Sequence, residues 1–137
     1  MAEGAGLSYR TAVAVEPGLS ARVTMVVGAA DTAAAMRSGD VPVLGTPRLI
    51  ALCEEAACLA VAGTLGEGRT SVGVRVQFDH LAPISTGSEV TAEATLEKVE
   101  GRRLVFTVTA ADDAGLVGAG KVTRVVVDSE DFLAKAR

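Results

Sequence analysis

Two adjacent carboxylates stand in an otherwise apolar stretch of this sequence. From Leu49 to Leu65 the only charged residues are Glu54 and Glu55. Burying a carboxylate among leucine, cysteine and alanine is costly unless the group has a partner. Glu54 is therefore the first candidate for chemistry, whereas we expect Glu55 to be a solvent-exposed or interface charge.

Thr46 precedes Glu54 by eight residues. On a helix this spacing is a rotation of about 80°, so the two side chains can share a face, whereas Glu55 lies about 180° from Thr46. Their separation along the helix axis is about 12 Å. They could therefore act on two sides of one small ligand, or act together across a subunit interface.

His80 is the only histidine in the chain. Its position in an alternating stretch predicts that it lies on the apolar face of a strand. Structural explanations also exist for these residues. His80 could be a core or strand-end histidine bonded to backbone, and Thr46 could simply cap the helix that begins at Pro47.

The elements that must position these residues follow from periodicity and turn signals. Residues 47–65 form a helix, ended by Gly66, that is apolar nearly all round and therefore buried. In the strand at 73–80, Val74, Val76 and Phe78 share a face with His80. Further strands are predicted at residues 9–15, 21–27, 89–99, 104–110 and 116–127. Short helices capped by Asp31 and Ser129 complete the prediction.

A helix that is apolar on every side needs cover on every side. A curved antiparallel sheet wrapped around it supplies most of that cover, and a second subunit supplies the rest. The expected fold class is therefore α+β, as one domain over residues 1–137. The hydrophobic content of 49% is consistent with an oligomer interface.

Composition excludes several functions. The net charge is −4 and aromatic residues make up 3%, so neither a basic surface nor stacking platforms for nucleic acid are expected. No apolar run reaches the roughly 18 to 20 residues that cross a bilayer. The first residues lack a secretory signal, which predicts a cytoplasmic location. Cys53 and Cys58 would face apart on the helix, so we expect reduced core thiols, no metal and no cofactor.

The spacing of Thr46, Glu54 and His80, together with VEGRRL at residues 99–104 and the tail VTRVVVDSEDFLAK, resembles the fluoroacetyl-CoA thioesterase family of hotdog-fold proteins. The resemblance covers about residues 44–135. It implies hydrolysis of a small or short acyl thioester of CoA or of an acyl carrier protein. It also implies a homodimer with active sites at the interface, where Thr46 of one subunit could approach Glu54 and His80 of the other.

The resemblance also implies roles for these residues. Glu54 would be the base or the nucleophile, His80 would polarise the thioester or protonate the thiolate, and Thr46 would donate a hydrogen bond. The backbone of Gly73 would approach the thioester carbonyl. The family member specific for fluoroacetyl-CoA carries lid phenylalanines, but residues 36–40 of this chain contain no aromatic residue. Fluoroacetyl specificity is therefore not expected.

Arg37 and Asp40, in that segment, form either a polar substrate entrance or an ordinary surface loop. Three other functions stay open at this point. The protein could bind an acyl thioester without hydrolysing it. It could hydrate an acyl-CoA, although Asp79 faces the wrong way for this. It could also use Cys53 as a nucleophile, which is disfavoured because apolar surroundings raise the pKa of a thiol.

Overall fold

Five antiparallel strands form one sheet in the computed structural model, which describes residues 14–137. The strands are β1 (Ser20–Val26), β2 (Arg69–His80), β3 (Glu89–Glu100), β4 (Arg103–Asp112) and β5 (Gly115–Asp128). The helices are α1 (Ala33–Met36), α2 (Thr46–Ala60) and α3 (Ser129–Ala134), and a 3₁₀ turn covers Ala29–Asp31. The predicted strand at residues 9–15 falls largely outside the described residues.

The order of strands across the sheet is β1-β3-β4-β5-β2. Strands β3, β4 and β5 form a meander of two hairpins. In the turn between β3 and β4, Gly101 adopts a positive φ, which permits a tight reversal of the chain. Strand β2 pairs only with β5 among the described strands and therefore forms one edge of the sheet. The predicted α+β arrangement of one helix against an antiparallel sheet is confirmed.

Helix α2 packs mainly on β1 and β3 and supplies the centre of the core. Small residues on both sides, including Ala56 and Ala57 on the helix and Ala92 and Ala94 on β3, allow the two backbones to approach closely. Phe106 is the largest fully buried side chain. Burying an apolar side chain of this size contributes about 1.5 to 3 kcal/mol, so these layers fix the position of α2.

Helix α2 ends at Ala60, earlier than the predicted end near Leu65. Gly63 has φ of 80°, which L residues rarely adopt, and the chain turns away there. The Thr64 hydroxyl donates to the Val61 carbonyl at 2.7 Å, replacing a helical backbone partner. The prediction that the helix continues to Gly66 is therefore wrong.

Two helix caps also differ from the prediction by one residue. Thr32, not Asp31, caps α1, and its hydroxyl accepts the Ala35 N–H at 3.1 Å. Asp128, not Ser129, caps α3. In each case the capping residue has extended backbone angles, which direct its side chain toward the free N–H groups of the first turn.

One face of α2 lies open in the single chain, so the sheet covers the helix only in part, and the predicted cover by a second subunit stays a prediction. Thr46, Pro47 and Arg48 in the first turn are exposed or half exposed. Beyond them the exposed or half-exposed positions recur every three to four residues and are Ile50, Ala51, Glu54, Glu55, Cys58 and Leu59. This open face borders the edge strand β2, where Val76 is 38% exposed. No helix in residues 14–137 is long and apolar enough to cross a membrane.

A β-bulge interrupts the alternation of β2. Gly73 pairs with Arg124 and Arg75 pairs with Thr123, which leaves Val74 as the extra residue. Val74 is half exposed and lies beside Arg75 and Thr123 around a shallow outer depression. The predicted common face of Val74 and His80 is therefore broken, because the bulge shifts the side-chain alternation between them.

Candidate active site

Thr46 is the first residue of α2 and is free for contacts beyond its own helix. The N-cap position belongs to Gly45, which has extended backbone angles, so the prediction that Thr46 caps the helix is wrong. The Thr46 hydroxyl instead lies 2.7 Å from Nδ1 of His80. A hydroxyl and an imidazole within hydrogen-bond distance are the arrangement of a nucleophile and its base.

His80 is the last residue of β2 and is half buried. Its Nε2 is buried and has no hydrogen-bond partner within residues 14–137. When the ring carries its proton on Nε2, Nδ1 accepts the hydrogen of the Thr46 hydroxyl. In that tautomer His80 is oriented to withdraw a proton from Thr46.

Glu54 lies near the middle of α2 and contacts a different part of β2. Its Oε2 lies 3.3 Å from Nη1 of Arg124, and its side chain is 33% exposed. A Cβ atom built on Gly73 would lie only 2.6 Å from the same oxygen. Glycine at position 73 is therefore required for the carboxylate to rest against the strand, and the structure brings these two predicted residues together.

Arg124, which the sequence analysis did not identify, holds this carboxylate. Its side chain is 9% exposed, and it is anchored on Ser71 by two hydrogen bonds of 2.8 Å, from Nε to the hydroxyl and from Nη2 to the carbonyl. The sequence did contain a signal for it. Alternation along β5 places Arg124 on the inward face between Val122 and Val126, where an arginine needs a buried partner.

The Thr46–His80 pair and the Glu54–Gly73 contact lie apart within one chain. Thr46 and Glu54 are separated by about 12 Å along the helix axis. Gly73 and His80 are seven residues apart on β2, which corresponds to roughly 20 Å of strand. A single thioester carbon cannot contact both groups of one chain, and the structure places Thr46 against His80 of the same chain.

A cavity of about 340 Å³ adjoins the Thr46–His80 pair. Its walls come from the segment between α1 and α2 and from the residues that follow His80. Arg37 and Asp40 are exposed and do not line it. Their positions agree with a surface loop rather than with a polar substrate entrance.

The cysteines lie on different sides of α2. Cys53 is buried, and burial together with the neighbouring Glu54 carboxylate raises the pKa of its thiol to about 11. Cys58 is exposed, so the two thiols face apart as predicted, but the expectation that both are core thiols is wrong for Cys58. The raised pKa argues against Cys53 as a nucleophile, because the thiolate is the reactive form.

Comparison with known proteins identifies the family. The family model FlK, described as fluoroacetyl-CoA-specific thioesterase, matches residues 27–130. The chain belongs to this family. It is 38% identical over 95 residues to the fluoroacetyl-CoA thioesterase of Streptantibioticus cattleyicolor, covering 69% of this chain and 68% of that protein.

Two solved structures show the same fold. A mutant of the fluoroacetyl-CoA-specific thioesterase FlK, in complex with fluoroacetate and CoA, superposes with a TM-score of 0.81 at 30% identity, covering 86% of this chain and 99% of that one. A hot-dog-like protein from Thermanaerovibrio acidaminovorans gives a TM-score of 0.78 at 32% identity, covering 87% of each chain. The predicted hotdog fold and thioesterase family are confirmed.

Proposed function

We propose that this protein hydrolyses the thioester of an acyl-CoA to a free acid and CoA. The observation that carries this proposal is the 2.7 Å contact between the Thr46 hydroxyl and Nδ1 of His80, in a chain of a thioesterase family. A hydroxyl beside a base can attack an acyl carbon, whereas a protein that only binds the thioester has no need of such a pair.

The reaction would proceed in two steps. His80 takes the Thr46 proton as the threonine oxygen bonds to the thioester carbon, and the C–S bond breaks as that proton passes to the departing thiolate. Water then attacks the resulting ester, its proton goes to His80, and the Thr46 oxygen leaves and regains a proton. The Gly73 N–H would stabilise the oxyanion in both steps.

Glu54 would act as a charged group that orients the attacking water. Its carboxylate is in contact with the Arg124 guanidinium, and an ion-paired carboxylate is a poorer nucleophile than a free one. This assignment differs from both roles considered for Glu54 from the sequence, which were general base and nucleophile. The Thr46 hydroxyl, which has its own base at hydrogen-bond distance, is the better candidate.

A complete site would require two copies of the chain. Thr46 and His80 of one copy would face Glu54 and Gly73 of the other across the open face of α2 and the edge strand β2. In a two-fold symmetric pair these contacts are reciprocal. The axis would pass near Ile50, midway between Thr46 and Glu54.

The edge strands support the same axis. Because the bulge leaves Val74 outside the pairing, an antiparallel pair of β2 strands that places Gly73 opposite His80 has its centre at Gln77. Val76 is 38% exposed in the single chain and would be covered in this arrangement. The positions on α2 and on β2 therefore indicate the same two-fold axis. The protein would be a homodimer whose sheet continues across the interface.

The first experiment measures thiol release from acyl-CoA. We expect Thr46→Ala, His80→Ala and Glu54→Gln each to lower kcat/KM by about 100-fold or more. Glu55→Gln is the matched control, because Glu55 is the adjacent, exposed carboxylate, and it should keep wild-type activity. Equal rates in all five proteins would refute the proposal.

A trapping experiment separates the two nucleophiles. In a single turnover stopped by acid, peptide mass spectrometry should find the acyl group on Thr46. An acyl group on Glu54 would contradict the mechanism while leaving thioester hydrolysis intact.

Mixing inactive variants tests the composite site. His80→Ala and Glu54→Gln, mixed after dissociation, should recover about one quarter of wild-type activity, because half of the dimers are mixed and each holds one intact site. Thr46→Ala mixed with His80→Ala is the control and should recover nothing, since both residues belong to the same half-site. Recovery of activity in the control mixture but not in the first mixture would refute the assignment of Thr46 and His80 to one half-site and Glu54 to the other.

CoA is the proposed carrier, in line with the CoA complex of the related thioesterase. An acyl carrier protein remains the alternative, and higher kcat/KM for a carrier-bound acyl group than for its CoA ester would favour it. Fluoroacetyl specificity is not proposed, because residues 36–40 contain no aromatic residue. We also propose a cytoplasmic location, in agreement with the free thiols Cys53 and Cys58.

A further inference from the structure

We infer that the cavity beside the Thr46–His80 pair is an acyl-chain subsite that selects saturated acyl groups of about four to eight carbons. This inference rests on the proposed thioester hydrolysis and specifies its substrate class. Both members of the pair line the cavity, so an acyl group whose carbonyl carbon is at the Thr46 hydroxyl can extend into it.

The chemistry of the walls favours a hydrocarbon chain. Apart from Thr46 and His80, the lining consists of Ser38 and of small or aliphatic residues, among them Ala33, Val43 and Leu44. No lysine or arginine of residues 14–137 lines the cavity. The phosphates of CoA would therefore find no cation there.

The mouth of the cavity is also apolar. Val41 and Leu81 line it and are 53% and 56% exposed, so about half of each residue remains accessible to a ligand. Exposed aliphatic side chains that converge on one opening favour an apolar ligand. Their position next to the reacting pair distinguishes them from isolated surface residues.

The volume of the cavity limits the chain length. A methylene group needs about as much space as a water molecule, roughly 30 Å³, so 340 Å³ accepts no more than about eleven such groups. Since the cavity is open to solvent, only part of this volume holds a fixed chain. Four to eight carbons are therefore the proposed range, which extends beyond the small or short acyl group expected from the sequence.

The experiment compares kcat/KM for acetyl-, butyryl-, hexanoyl-, octanoyl- and succinyl-CoA. Octanoyl-CoA has six methylene groups more than acetyl-CoA. Each one that is buried should raise kcat/KM by about fourfold, so burial of three of the six would give about a sixtyfold preference for octanoyl- over acetyl-CoA. Succinyl-CoA has the same number of carbons as butyryl-CoA but a terminal carboxylate. It should be the poorer substrate because the lining offers no cation.

Val41→Phe tests the cavity directly by narrowing its mouth. It should lower kcat/KM for octanoyl-CoA by about tenfold and change that for acetyl-CoA by less than about twofold. Val26→Phe is the matched control, because Val26 is 61% exposed and lies outside the cavity. Ser38→Leu provides a second narrowing variant if thermal unfolding shows that Val41→Phe does not fold.

Three results would overturn the inference. Equal kcat/KM for acetyl- and octanoyl-CoA would show that no chain binds in the cavity. An equal loss for every substrate in Val41→Phe would assign the cavity to the carrier arm instead. Absence of thiol release from all five thioesters would refute the proposed hydrolysis as well, whereas the first two results would leave it standing.

Discussion

Replacing Gly73 by alanine would test whether the position of the Glu54 carboxylate matters for catalysis. The new Cβ would lie 2.6 Å from Oε2 of Glu54 and 3.4 Å from Nη1 of Arg124. Ordinary contact begins near 3.4 Å, so the carboxylate must retreat by about 0.8 Å. This movement would disturb the 3.3 Å contact between Glu54 and Arg124.

The expected effects on activity and stability differ. Displacing a catalytic group by about 1 Å can lower the rate by about 100-fold. The free energy of unfolding should change by less than about 1 kcal/mol, because the strand gains about 0.5 to 1 kcal/mol when glycine becomes alanine and loses a similar amount through the disturbed contact. The backbone N–H of residue 73 is retained, so the variant keeps the proposed oxyanion donor.

The assay is a double-mutant cycle with thiol release as the readout. Wild type, Gly73→Ala, Glu54→Gln and the double variant are compared, and urea unfolding is measured for each. If alanine acts by displacing Glu54, the double variant should be no slower than Glu54→Gln alone. Wild-type activity in Gly73→Ala, or fully additive losses in the double variant, would refute the reasoning.

Three further predictions concern stability and thiol reactivity. Gly118→Ala should lower the free energy of unfolding by about 1 to 3 kcal/mol, because the Cβ of the new alanine would lie 2.5 Å from Cζ of Phe78. An unchanged midpoint of urea unfolding would contradict this packing. Arg124→Met should cost about 1 to 3 kcal/mol by removing the donors of three hydrogen bonds, and Arg124→Lys should recover only part of it. At pH 8 the Cys53 thiol, with a pKa of about 11, stays protonated. Iodoacetamide should therefore alkylate only Cys58 in the native protein and Cys53 only after unfolding. Alkylation of Cys53 in the native protein would contradict this prediction.

The architecture could be predicted because its signals are repeated along the chain. The period-two pattern extends over whole strands, and the apolar segment after Pro47 is long enough to define a helix. Helix ends depend on one residue each. The sequence offers adjacent candidates such as Asp31 and Thr32, or Asp128 and Ser129, and only the backbone angles decide which one caps the helix.

The candidate site could be predicted in its members but not in its arrangement. Glu54 and His80 stand out because each is a polar residue where the pattern expects an apolar one, and Thr46 was identified by its spacing from Glu54. Their pairing depends on the angle between α2 and β2 and on the bulge at Val74, and neither has a local sequence signal. Arg124 was missed for a related reason, since an arginine within a strand is typical of an exposed face until its buried partners are known.

The arrangement suggests how such a site is assembled. The Arg124 guanidinium is already fixed by Ser71 in the single chain, and Thr46 already contacts His80. In the proposed homodimer, each half-site would thus be organised before a second copy binds, and little side-chain ordering would remain to oppose association. The open face of α2 also keeps Glu54 partly solvated until that moment, which reduces the cost of placing a carboxylate in an apolar helix. Dimer formation would then both complete the site and exclude water from it, and specific activity should fall as the protein is diluted below its dimer dissociation constant.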